Sequence, residues 1–174
     1  MQKTMKPLSQ LRTEKIQLVQ PSIWKRIYHL RTADEVLLTM SYPKLFSSLA
    51  VVEGFGEIWE FRKPQWWRSN LEIKKRHNQL PFAKFVVGKW GKGGMFELPN
   101  GERIEYVYEI WKNKNEIFSQ QKVKLISLQR ESLFKSALNV TVDHESELLD
   151  KNPWIIMIVY DQILSRRQAA QGAA

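Results

Sequence analysis

Apolar and polar residues alternate along most of the chain between Lys15 and Val142, the two-residue period of a half-buried strand. In "EVLLTMSY" the positions Val36, Leu38, Met40 and Tyr42 share one face. In "ERIEYVYEIW" the face is Ile104, Tyr106, Tyr108 and Ile110, with Glu105 and Glu109 opposite. In "ALNVTV" Leu138, Val140 and Val142 oppose Asn139 and Thr141. Shorter segments of the same kind are "KIQLV", "KRIYHL", "LAVVE", "EIWEFRK", "NLEIKK", "AKFVVG", "GMFEL" and "VKLISL". Turn residues separate them. Asn100-Gly101 supplies the positive φ angles of a tight hairpin, Gly54 and Gly56 break "VVEGFGEIW", and Gly88, Gly91, Gly93 and Gly94 break the next junction. Asn113 and Asn115 read as another turn. About eleven short strands at this spacing predict an all-β antiparallel sheet that closes into a barrel, because open edges invite aggregation.

The pattern changes at "DKNPWIIMIVYDQILSRRQ", where seven apolar residues, Trp154 to Tyr160, stand in a row. The stretch to Leu164 rises only about 16 Å as a helix, against a bilayer core of about 30 Å. It does not span a membrane. Its β-branched isoleucines favour strand, but the punctuation favours helix: Asn152 as cap, Pro153 at the first helical position, Arg166 and Arg167 in the last turn. A helix apolar all round has to be buried all round. The reading is therefore a barrel filled by a C-terminal helix whose buried residues are Trp154, Ile155, Ile156, Met157, Ile158, Val159, Tyr160, Ile163 and Leu164.

Many short strands followed by an apolar helix, with the segments "PSIWKRIYHLRTADEVLLTMSYPKLFSSLAVVE", "WEFRKPQWWRSNLEIKKR", "GKGGMFELPNGERIEYVYEIW" and "NPWIIMIVYDQIL", resemble the tubby C-terminal-domain-like superfamily. That superfamily includes the phospholipid scramblases and the LURP-one-related proteins, and the chain looks closest to small bacterial members. The resemblance implies a closed barrel of about twelve antiparallel strands around a central hydrophobic helix. It also implies a non-enzymatic domain that faces phospholipid through surface Lys and Arg. The palmitoylated cysteine-rich stretch of scramblases has no counterpart in this sequence, which has no cysteine.

Composition narrows the classes. At 174 residues the chain reads as one domain over 13–167, with a flexible N-terminus, 1–12, and a disordered tail, 168–174. The lack of cysteine excludes disulfides, thiolate nucleophiles and cysteine-held metals. The N-terminus shows no secretory h-region, so a cytoplasmic address with a peripheral membrane contact is expected. The net charge of +9 is lopsided: residues 1–92 carry 17 Lys/Arg and 7 Asp/Glu, the remainder 10 and 11.

The most suggestive stretch is "RKPQWWRSNLEIKKR". Arg62, Lys63, Arg68, Lys74, Lys75 and Arg76 surround Trp66 and Trp67 with one acid, Glu72, among them. Tryptophan suits the head-group level of a membrane and lysine attracts anionic phospholipid. The same elements suit a nucleic acid, by stacking and phosphate contact, or an acidic protein. They equally describe a solvated face with the indoles covering a barrel end. A helix-grip carrier of an apolar ligand is a further alternative. The cluster "GKWGKGGMF" lacks P-loop spacing and reads as a barrel corner. His29, His77 and His144 are not spaced for a metal, and Asp143, Glu145, Glu147 and Asp150 lack the calcium-loop pattern. Asn139-Val140-Thr141 matches a glycosylation sequon, which means nothing in a chain read as cytoplasmic. Carboxylate pairs such as Glu57/Glu60 and Glu105/Glu109 fall on strands, and no nucleophile elbow is present. No catalytic residue, metal or cofactor is predicted.

Overall fold

The computed structural model describes residues 6–22, 24–43, 49–64, 70–130 and 137–172. Twelve strands follow one another: β1 (Ile16–Val19), β2 (Ile27–Arg31), β3 (Val36–Ser41), β4 (Leu49–Gly54), β5 (Glu57–Arg62) and β6 (Leu71–Lys75). The second six are β7 (Ala83–Val87), β8 (Gly93–Glu97), β9 (Arg103–Glu109), β10 (Lys114–Ser119), β11 (Lys124–Arg130) and β12 (Leu138–Val142). Each is antiparallel to the next. The barrel closes where β1 pairs with β12, Ile16 opposite Val140 and Leu18 opposite Leu138. Closure leaves no free sheet edge.

Period two puts one set of side chains inside. Leu138, Val140 and Val142 point in from β12, as expected, and Ile104 and Tyr106 from β9. The face expected for β3 is altered at its start. The β2–β3 register shifts between Leu30 and Arg31, so Arg31 stands opposite Val36 and Leu37 is the extra residue. That bulge buries Leu37 and leaves Val36 exposed. Ile110 lies beyond the end of β9 and is also exposed. Asn100 and Gly101 take positive φ, 62° and 76°, as the hairpin requires. Gly93 is positive as well, at φ 111°, and a Cβ there would stand 2.0 Å from the carbonyl oxygen of Tyr106. A glycine is the residue that lets β8 lie so close to β9.

The strand absent from the sequence reading is β10. Its inner positions are Asn115 and Ile117, and a buried asparagine hides the apolar period. Asn115 is therefore a strand residue and not part of the turn, which is made by Ile110–Asn113.

Helix α1 (Glu147–Lys151) is a single turn capped by Ser146, whose Oγ accepts from Leu149 N at 3.3 Å. Asn152 ends it, its Nδ2 donating to the Leu148 carbonyl at 2.9 Å, in place of the expected side-chain cap on the long helix. That helix, α2 (Ile155–Gly172), starts after a tight turn in which Ile155 N bonds Asn152 O and Ile156 N bonds Pro153 O. Every residue from Trp154 to Tyr160 is buried, as is Ile163, while Leu164 is half-buried. Trp154 sits just before the helix between the rings of Phe61, Phe82 and Phe96, at centroid distances of 6.1, 5.8 and 6.0 Å. Tyr160, two turns on, meets Tyr28 edge-to-face at 5.4 Å. The apolar length of the helix thus fills the barrel, and the polar length emerges from it and runs to Gly172.

The end at which α2 enters is covered. A short 3-10 turn, Leu8–Leu11, buries both leucines and packs beside α1. Ser9 donates twice to the Asp150 carboxylate, from its N at 2.9 Å and its Oγ at 2.5 Å. The packed body therefore begins at Leu8, earlier than the boundary at residue 13. Two leucines in a polar stretch are too few to show a period.

Candidate functional site

In a closed meander, alternate connections lie at the same end. The connections β1–β2, β3–β4, β5–β6, β7–β8, β9–β10 and β11–β12 share the mouth from which α2 emerges. Within them the described residues include Lys25, Arg26, Lys63, Lys89, Lys92 and Lys112, and no Asp or Glu. The connections of the opposite, covered end, together with the segment from Asp143 to Trp154, hold seven Asp/Glu and three Lys/Arg. Among the described residues the connections of the open mouth are therefore positive and those of the covered end negative.

The same mouth displays tryptophan. Trp24 is 90% exposed, Trp90 90% and Trp111 99%. They stand in β1–β2, β7–β8 and β9–β10, so Trp24 is half the barrel's circumference from Trp90. Each adjoins a cation: Lys25, Lys89 and Lys112. Trp90 also takes φ 61° and ψ 21°, a left-handed conformation that bulky residues avoid. An indole in water on a strained backbone stabilises nothing in the fold, so these rings call for an explanation outside it.

The predicted basic stretch is divided by this geometry. Arg62 and Lys63 lie at the open mouth, where Lys63 lines a small cavity with Arg26, Tyr42 and Asp161. Lys74, Lys75 and Arg76 lie down the wall of the barrel, toward the covered end, in ion pairs. Lys74 meets Glu60 at 3.1 Å, Lys75 meets Glu57 at 2.7 Å, and Arg76 reaches Glu60 at 3.5 Å and Glu53 at 3.8 Å. Trp66, Trp67 and Arg68 lie outside the described residues. The Glu105/Glu109 pair is likewise matched by lysines, Glu105 by Lys122 and Glu109 by Lys112 at 2.9 Å. Asp143 accepts from Ser127 and Lys124. Among the described residues no three His, Asp or Glu side chains gather as a metal site.

Two cavities flank α2 at the mouth. One, of about 150 Å³, is lined by Arg26, Tyr42, Lys63, Asp161 and Ser165 among others. Tyr42 donates its phenol to Asp161, and Arg26 stacks 4.2 Å over the Tyr42 ring. Burial pushes the Asp161 carboxyl above its ordinary value, although Tyr42, Lys63 and Arg26 favour the anion. The other, of about 210 Å³, is lined by Tyr108, Asn113, Asn115, Arg130, Leu138, Ile163, Arg166, Arg167 and Ala170. Its floor is a hydrogen-bonded group. Arg166 Nη2 donates to Asn115 Oδ1 at 2.8 Å and to the Tyr106 phenol, and Tyr106 donates to Asn115 Oδ1 at 2.7 Å. Arg166 also lies 4.0 Å over the Tyr108 ring. These bonds satisfy the buried asparagine of β10.

Sequence reasoning missed Trp24, Trp90 and Trp111 as a set, and missed Arg130 altogether. Their common signal is a tryptophan beside a lysine at alternate connections, "WKR", "KWGK" and "WKN". That they share an end follows from the alternation of connections in a meander, since all three leave odd-numbered strands.

Comparison with known proteins returns no match. No protein-family model, no curated protein and no solved structure matches this chain. Function has to be argued from the mouth itself. No helix among the described residues is long and apolar enough to cross a membrane.

Proposed function

We propose that this protein is a non-enzymatic module that associates reversibly with anionic phospholipid surfaces through the open mouth of its barrel. The observation that carries the reading is the ring of Trp24, Trp90 and Trp111, each at least 90% exposed, set among lysines with no described carboxylate in the same connections. Indole rings settle at head-group level, and each lysine near an anionic surface adds about 1 kcal/mol. Three anchors spread around a circumference suit a broad surface better than a narrow ligand. The emergent end of α2, Ser165–Gly172, adds two arginines and no acid to that side. An anionic surface of this kind is the cytoplasmic leaflet, so the protein acts there as a peripheral component.

The tubby-like kinship is part of the same proposal. It rests on the sequence segments quoted above, and the twelve-strand barrel around a helix agrees with the architecture they imply. The carrier alternative finds no observation in its favour, because the interior is occupied by Trp154–Tyr160.

Co-sedimentation with vesicles tests the proposal. Binding to anionic but not neutral vesicles, weakened by salt and abolished by combined Trp24→Ala, Trp90→Ala and Trp111→Ala, is the expected result. Equal binding to neutral vesicles, or no binding at low salt, would overturn it. A preference for single-stranded oligonucleotide over vesicles would transfer the rim to nucleic acid.

A further inference from the structure

The outer wall of the barrel is not uniform. Across β4, β5 and β6 it is laced with the ion pairs of Lys74, Lys75 and Arg76. Across β7, β8 and β9 it holds an open groove of about 420 Å³, within the roughly 300–1,000 Å³ of ligand-binding clefts. The floor is made by Val86, Met95 and Val107, which alternate with the buried Phe85, Phe96 and Tyr106 and so point outward. Gly88 and Gly94 add backbone without side chains. Toward the mouth the groove is lined by Lys89 and Lys92, from the connection that also carries Trp90. Both lysines are exposed, and neither has an ion-pair partner among the described residues. The acid among the lining residues, Glu105, is matched by Lys122. The neighbouring connections at the mouth, 63–70 and 110–113, contain no Asp or Glu in their sequence.

We propose that this groove docks a short acidic–apolar segment of a partner protein, with apolar side chains on the floor and carboxylates on Lys89 and Lys92. An apolar floor beside cations complements that mixture better than either half of it alone. Three strands about 4.8 Å apart span about 10 Å, room for two or three side chains. Lys92 precedes Met95 by three positions, about 10 Å along a strand, so the acids belong within about three residues of the apolar anchor. Trp90, exposed at the head of the groove, is the type of rigid aromatic anchor that dominates interfaces. A bilayer lying against the mouth does not reach the floor, which faces sideways from the wall. A nucleic acid would bring phosphates past Glu105 and Glu109, on the same face of β9 as Val107, and the outward side chains of the floor offer no ring for stacking. A second copy is opposed by its own charge of +9. The inference does not rest on the membrane reading, because the floor it needs lies on the wall.

Panning a random peptide library on phage against the full chain tests the groove, with the Met95→Glu protein as counter-target. Peptides enriched on the wild type are expected to combine Leu, Ile, Phe or Trp with Asp or Glu at close spacing. A synthetic copy of the most enriched peptide should bind saturably and weaken as salt rises. Its affinity is expected to fall about tenfold or more for Lys89→Glu combined with Lys92→Glu, and to be unchanged by Trp24→Ala. Absence of enrichment over the Met95→Glu protein overturns the proposal. So do enriched peptides without acids, or an affinity that the double lysine variant leaves intact. Should Met95→Glu fail to fold, the double lysine variant, altered only at exposed positions, takes its place as counter-target. Laurate or a single-stranded oligonucleotide bound in the same lysine-dependent way, with no peptide enriched, also overturns the proposal and gives the groove to an amphiphile or to nucleic acid. Vesicles keep the two readings apart, since the folded Met95→Glu protein is expected to bind them as the wild type does. Peptide binding by a protein that binds no vesicles leaves the groove standing and the rim reading fallen; vesicle binding without a groove-dependent peptide does the reverse.

Discussion

The two ends of the barrel are built from the same strands and do opposite things. At the covered end Leu8, Leu11 and Leu149 are buried, Ser9 is tied to Asp150 across 141 residues of sequence, and acids outnumber bases in the connections. At the open end three tryptophans stand in water, the described connections hold cations alone, and two cavities flank the helix. Chain order explains how this is possible. A meander sorts its connections by parity, so residues far apart in sequence are collected at one end without any local pattern. One end can then be selected for closure and the other for contact. The helix between them changes character at Asp161: before it every side is apolar, and after it only Ile163 and Leu164 continue the buried stripe before the polar exit.

The largest effect is expected where neither end is involved. Ile156→Asp or Ile158→Asp puts an unpaired charge beside fully buried neighbours, at a cost of several kcal/mol against a total stability of about 5–15 kcal/mol. Both variants are expected to lose the cooperative melt. A melt at an unchanged temperature would mean that the helix is not the filling of the barrel.

Alkali is expected to weaken the open half next. Burial pushes the phenols of Tyr106 and Tyr160 up to about 12 from an ordinary 10.0, and that of Tyr42 upward as well. All three pack against the exit half of α2 or its neighbours. Their folded values lie above the unfolded ones, so the stability they contribute is complete below pH 10 and is lost as pH rises from there toward 12. The loss amounts to about 1.4 kcal/mol per pH unit for each tyrosine. Denaturant melts across this range should show the fall, and Tyr106→Phe should reduce its slope. Asp161 has the same sign at the other extreme. Its carboxyl is raised, so its contribution is present below the ordinary carboxylate value and lost as pH rises through its folded value. Asp161→Asn is expected to remove that loss.

A smaller effect isolates the covered end. Ser9→Ala or Asp150→Ala breaks the pair that holds the N-terminal turn to α1, and a loss of about 1–3 kcal/mol is expected from melts. Vesicle binding by the folded protein should be untouched. If either variant abolished binding while leaving the fold intact, the division of labour between the ends would be wrong.

Much of this comparison was legible in the sequence, and the remainder failed for a specific reason. The barrel, the buried helix and most of the strands follow from period two and from seven apolar residues in a row. The missing element is β10, whose inner face offers Asn115, an asparagine satisfied by Tyr106 on the neighbouring strand and by Arg166, 51 residues away on the helix. No local pattern reveals that. The omission matters beyond one strand, because a meander counted as eleven reverses the parity of every connection after β10. The basic stretch 62–76 looks like one patch in the sequence for a related reason. Sequence proximity places Arg62 near Lys74, whereas a strand rises about 3.3 Å per residue and carries the later lysines down the wall to Glu57 and Glu60.

The smallest effect on stability should accompany the largest effect on function. Trp24, Trp90 and Trp111 bury almost nothing, and exposed substitutions commonly stay within about 0.5 kcal/mol. Each single alanine variant is expected to melt like the wild type, and Trp90→Gly to melt slightly higher, since glycine accepts the positive φ without strain. The triple alanine variant, equally folded, is expected to lose anionic vesicle binding. Charge reversal at Lys74 and Lys75 supplies the contrast. Those lysines already face Glu60 and Glu57, so reversal should cost stability through the broken pairs and leave binding close to wild type. The opposite outcome, binding lost with Lys74 and Lys75 but retained without the tryptophans, would move the contact from the mouth to the wall and remove the functional meaning of the asymmetry between the ends.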